Sequence, residues 1–86
     1  MRVIKVVEED VSDKIDTKYI LELFRHIEKV GIAFVCTKDE REEDEWVDED
    51  GIRHIVILLP YKEVKKMADI RPLMLEKAKE RLGLVA

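Results

Sequence analysis

Asparagine and glutamine occur nowhere in the 86 residues, and cysteine occurs once. Missing amides beside dense Lys and Glu are the composition expected of a protein from a very hot environment. The single Cys36 has no partner for an intrachain disulfide, so packing must hold the fold, and a reducing cytoplasm is the expected compartment. The three glycines, at positions 31, 51 and 83, are too scattered to build a phosphate-cradling loop. The longest aliphatic run, Ile55–Leu59, is far shorter than the ~20 residues of a membrane helix. No basic segment leading into an apolar one opens the chain, so neither a membrane span nor a secretion signal is expected.

What is present is charge, at 42% of residues, alongside 47% hydrophobic residues. That balance belongs to a globular chain, and its length to a single domain over residues 1–86. Chains of this size bury only ~60% of their unfolded surface and are often marginal alone, which makes oligomerisation a common remedy. The net charge of −4 conceals an uneven distribution. Residues 1–52 hold 8 basic and 16 acidic side chains, whereas residues 53–86 hold 8 basic and 4 acidic.

The stretch Ile52–Pro60 predicts a central strand, because its apolar run is short, rich in β-branched residues and bounded by Asp50-Gly51 and Pro60. Strands are also predicted over Met1–Glu8 and Ile32–Lys38, both apolar on their two faces. Between them, Ile15, Tyr19, Ile20, Leu23, Phe24, Ile27 and Val30 form a helical stripe, with Ser12, Asp13 and Asp16 as candidate caps and Gly31 as a left-handed terminus. Residues 39–51 carry nine carboxylates and read as the exposed loop of a long hairpin, to which Trp46 and Val47 add a rung beside Ile52 and Arg53. Residues 60–82 return to a helical period through Val64, Met67, Ala68, Arg71, Leu75, Ala78 and Leu82. Pro72 kinks or splits that helix, Asp69 is a candidate cap for the second part, and Gly83 closes it.

The resulting fold class is α+β: a small three-stranded mixed sheet in β-α-β-β-α(-α) order with helices packed on it. A helix between the first two strands makes them parallel, and a hairpin makes the second and third antiparallel. If the helices share one side, the other face needs a partner chain, so a homodimer is expected.

Sites of chemistry find little support in the residue pattern. Placing Asp48-Glu49-Asp50-Gly51 on the calcium-loop pattern puts Trp46 and Ile57 where carboxylates are required, so no metal site is assigned. Cys36 and His54 could meet on neighbouring strands, but no oxyanion turn or helix start follows the cysteine, and no catalytic residue is assigned. Asp50 with Glu63 and Lys65 matches a nuclease pattern only loosely, and no cofactor is implied. Lys62, Lys66 and Arg71 on the basic C-terminal helices could follow phosphates, yet acidic residues are interspersed and no aromatic stands among them to stack on bases. Trp46, an aromatic among carboxylates, has two readings, an anchor for a protein partner or a side chain folded back over the sheet. The expected function is a binding or regulatory protein-interaction module, with a nucleic-acid-associated protein as the alternative and a metal-dependent hydrolase third.

Overall fold

The computed structural model describes residues 1–84. Strand β1 (Arg2–Val7) is followed by a 3-10 helix (Glu9–Lys14), helix α1 (Thr17–Phe24), strands β2 (Val30–Cys36), β3 (Asp44–Val47) and β4 (Arg53–Leu58), and helices α2 (Tyr61–Lys66) and α3 (Arg71–Leu82). The class is α+β with one mixed sheet, but the sheet has four strands in the order β1-β2-β4-β3.

Strands β1 and β2 are parallel, as expected. Strands β2 and β4 are parallel too, which corrects the expected hairpin between them. The fourth strand explains the reversal. β3 lies outside β4 and runs antiparallel to it, so residues 37–43 step over the end of β4 before the chain turns back. A tight turn then joins β3 to β4, with the Gly51 amide donating to the Asp48 carbonyl at 3.1 Å and Gly51 at φ 78°. Closing this short turn costs less chain entropy than closing a long loop between β2 and β4.

The acidic stretch is therefore partly strand, although every side chain from Asp44 to Val47 is exposed. Its charge is compensated from the basic half of the chain. Arg53 donates to Glu45 at 2.8 and 3.1 Å, a diagonal cross-strand pair. Arg81 of α3 reaches the Asp44 carbonyl at 3.0 Å, the Val56 carbonyl at 2.9 Å and the Glu43 carboxylate at 3.1 Å.

Helix α1 starts as predicted, the Asp16 carboxylate accepting the Tyr19 amide at 3.1 Å, but it ends at Phe24. Val30 and Gly31 belong to β2, paired with Arg53, Arg2 and His54, so Gly31 is not a helix cap. Strand pairing on both sides outweighs the helical spacing that placed Val30 on the stripe, and the left-handed residue is Lys29 at φ 58°. Leu23, also assigned to the stripe, is exposed. The C-terminal helix is split over residues 67–70, with Pro72 in the first turn of α3, where its missing N–H costs nothing. Asp69 accepts the Arg71 amide at 3.1 Å just ahead of that turn. The break re-phases the stripe, so Ile70, Met74 and Ala78 are buried while Ala68 and Arg71 are exposed. Gly83, at φ 74°, closes α3 as predicted.

Lys14 fixes the end of α2. Its ammonium donates to the carbonyls of Val64, Lys65 and Met67 at 3.2, 2.9 and 2.7 Å, at a helix end where the Met67 amide also bonds back to Val64. One core results: Val11, Ile20, Phe24, Val64, Met74 and Ala78 from the helices pack with Ile32, Phe34, Cys36, Ile55 and Ile57 from the sheet.

Candidate functional site

All the helices among the described residues bury their side chains in that one core, on one side of the sheet. The other side is read from strand alternation and register. Three rows cross it: Arg2, Gly31, His54 and Trp46; then Ile4, Ala33, Val56 and Asp44; then Val6, Val35 and Leu58. None of the aliphatic side chains in the second and third rows belongs to the core cluster, although Val35 is only 5% exposed and Ala33, Val56 and Leu58 are half-buried among their neighbours. Ile4 and Val6 are each 43% exposed.

The rim at the first row is built from polar and aromatic groups. His54 donates from Nε2 to the Asp48 carboxylate at 2.8 Å, and the indole of Trp46 stacks on the imidazole with centroids 5.0 Å apart and planes within 14°. Asp48 also accepts the amides of Asp50 and Ile52 at 2.8 and 3.0 Å, so one carboxylate closes the β3-β4 turn and orients the ring. The His54 hydrogen bond, followed by that of the Ile52 amide, holds the Asp48 carboxyl below its usual range. Arg2, Ile4, Ala33, Trp46, His54 and Val56 line a cleft of about 550 Å³ across this end of the face.

Trp46 thus combines both roles weighed for it from the sequence. It folds back on His54, yet it keeps 47% of its surface exposed at the edge of the open face. Lys62, Lys66 and Arg71 stand on the helical side and form no common site with it. Lys62 and Lys66 are exposed on α2, while Arg71 is bound by Asp69 at 3.0 Å and lies over the Tyr19 ring at 5.7 Å.

Cys36 and His54 do not form the pair that neighbouring strands would allow. Register sets His54 beside Gly31, five residues from Cys36, a separation of roughly 17 Å along the strand. Their faces differ as well, Cys36 lying fully buried in the core, where burial pushes its thiol pKa up. His54 Nδ1 sits 3.6 Å from where a Gly31 Cβ would stand, over the strand backbone. Among the described residues no three His, Cys, Asp or Glu side chains gather as a group that could hold a metal ion. What this side of the molecule presents is an aliphatic surface with a polar, aromatic rim.

Sequence reasoning located β2 and β4 as two-faced strands but did not single out Ile4, Val6, Val56 and Leu58 as a surface. Their signal was available in the absence of a polar face on three successive strands. Asp48 gave no signal of its own among nine carboxylates. No helix among the described residues is long and apolar enough to cross a membrane. No family model matches the chain, and no curated protein or solved structure shows significant similarity to it.

Proposed function

We propose that the chain is a protein-interaction module that works through its helix-free sheet face and associates with itself as a homodimer. One observation carries this reading: strands β1, β2 and β4 are parallel, and the side of them away from the helices is aliphatic. Parallel sheets are found almost always with both faces covered, because water on one face leaves their apolar side chains unpaid. Burying that surface stabilises by about 25 cal/mol per Å².

Area decides how much of the face must take part. Four strands at ~4.8 Å spacing and three rows at ~7 Å give roughly 400 Å² in plan. Interfaces of ordinary size bury about 800 Å² of accessible surface per partner, so the whole face, the Trp46 and His54 row included, must take part, and the pleat and side chains must add to the area in plan. Binding is the role this surface supports, with Trp46 as its aromatic anchor.

Sedimentation velocity at micromolar concentration tests the proposal. The wild-type chain is expected to run as a dimer. Ile4→Glu with Leu58→Glu, two positions outside the core, is expected to run as a monomer with unchanged helical circular dichroism. A monomeric wild type would refute the reading.

A further inference from the structure

We infer that the two copies pack face to face about a twofold axis parallel to the strands, midway between β2 and β4, so that Arg2 of each copy lies over Trp46 of the other. This inference rests on the homodimer reading above and adds its geometry.

Two stacked sheets stand about 10 Å apart with strand directions within about 30° of each other. Two in-plane axes can then relate identical copies. An axis parallel to the strands places β2 over β4 of the partner and β1 over β3. An axis perpendicular to the strands places each strand over its own copy, running the opposite way.

Side-chain size separates the two. In each row the β2 residue is smaller than its β4 neighbour: Gly31 beside His54, Ala33 beside Val56, Val35 beside Leu58. The parallel axis sets every small residue against a larger one, which keeps the space between the sheets evenly filled. The perpendicular axis sets Ala33 on Ala33 and Val56 on Val56, leaving a gap over β2 and crowding over β4. Gly31 gains a purpose in the first arrangement. A Cβ there would meet the His54 ring of its own chain at 3.6 Å and the Arg2 carbonyl at 4.0 Å, both ordinary contacts, so the fold of one copy does not require glycine. In that arrangement the His54 ring of the other copy comes over β2 at Gly31, where the chain's own His54 ring already stands alongside and a side chain would take up the remaining room.

Charge selects the same axis. Arg2 ends the first row on β1 and Trp46, beside Asp48, ends it on β3. Within one chain they are three strand spacings apart, about 14 Å, too far to meet. The parallel axis exchanges the two ends, setting each guanidinium on an exposed indole next to a carboxylate, and it does so twice per dimer. The parallel axis also sets Ile4 over the edge of Asp44, whereas the perpendicular axis would set Arg2 on Val6 and the Asp44 carboxylate on its own copy.

Exchange of mutant subunits tests the geometry. In an Arg2→Glu homodimer both cation-to-indole contacts are lost, and in a Trp46→Lys homodimer both become contacts of like charge. A mixed dimer keeps one native contact and gains one Glu-to-Lys pair. Each variant alone is expected to dimerise about tenfold or more weakly than wild type, and an equimolar mixture is expected to form predominantly the mixed dimer, measured by native mass spectrometry. Both positions are exposed, and circular dichroism checks that each variant folds. Ala33→Val mixed with Val56→Ala repeats the test by size, each homodimer being overpacked or hollow and the mixed dimer neither. Mixed species at only the statistical half in both experiments would overturn this axis while leaving the homodimer in place. A wild-type monomer would overturn both.

Discussion

Arg81 joins α3 to the acidic edge strand, and replacing it by alanine is the most direct test of how that strand is held. Its guanidinium donates to the Val56 carbonyl at 2.9 Å and the Asp44 carbonyl at 3.0 Å, with the side chain 22% exposed. Hydrogen bonds that involve a charged group contribute about 1.5–3 kcal/mol each, and partial access of water places these at the low end. Contacts to Glu43 and Glu45 are more open, with carboxylate side chains 44% and 38% exposed, and add little on their own. Arg81→Ala should therefore destabilise by about 2–3 kcal/mol, lowering the melting temperature of a domain this size by roughly 10–20 °C. Hydrogen exchange should localise the damage, with β3 amides opening while those of β2 follow only the global change. Arg81→Lys should recover part of the loss, since a single ammonium cannot span two carbonyls and two carboxylates. A destabilisation below about 0.5 kcal/mol, the range of ordinary surface substitutions, with unchanged exchange in β3 would refute this account of the acidic strand.

Two further predictions concern pH. The Tyr61 phenol donates to the Asp10 carboxylate, which pushes its pKa from 10.0 up to about 12. The folded state holds that proton more tightly, so the contribution is present below 10.0 and is lost as pH rises towards 12. In a Tyr19→Phe background, phenolate absorbance should report a midpoint near 12, and Asp10→Asn should bring it down; a midpoint at the ordinary value would show that the bond does not form in solution. At acid pH the sign reverses. Hydrogen bonds from Arg53, His54 and Arg71 hold Glu45, Asp48 and Asp69 below their ordinary values of 4.5, 3.8 and 3.8, so their contribution is complete above those values and disappears as pH falls through the lower, folded ones. Urea midpoints should decline below 4.5, less steeply in Asp48→Asn, and a flat profile down to 3.8 and beyond would contradict the linkage.

The strands were readable because β-branched runs ended by turn residues have few alternatives, and the split before Pro72 was readable because proline removes a specific hydrogen bond. The parallel pairing of β2 and β4 was not. It depends on β3, whose Asp44 and Glu45 look like loop until Arg53 and Arg81 are seen to offset their charge, a contact 36 residues apart in the chain for Glu45 and Arg81. Gly31 misled for a related reason: a glycine after a helical stripe signals a cap, and only pairing with two neighbouring strands shows otherwise. For the candidate site, the two-faced strands announced an unmet need for cover. They could not say which face the helices would choose, since both faces of each strand are apolar.

The ammonium of Lys14 has a consequence for the order in which the molecule can assemble. Helix α2 has six residues, well below the 12–15 that even favourable sequences need to persist alone in water, and its last carbonyls are closed by a side chain some 50 positions earlier. During synthesis from the N-terminus, that lysine has nothing to close until the chain has grown past Met67. The core face of β1 and β2 must wait equally long for Val64, Met74 and Ala78. Folding from a growing chain should therefore be late and all at once, with no stable N-terminal half, and a fragment ending before α2 should remain unfolded however long it is given.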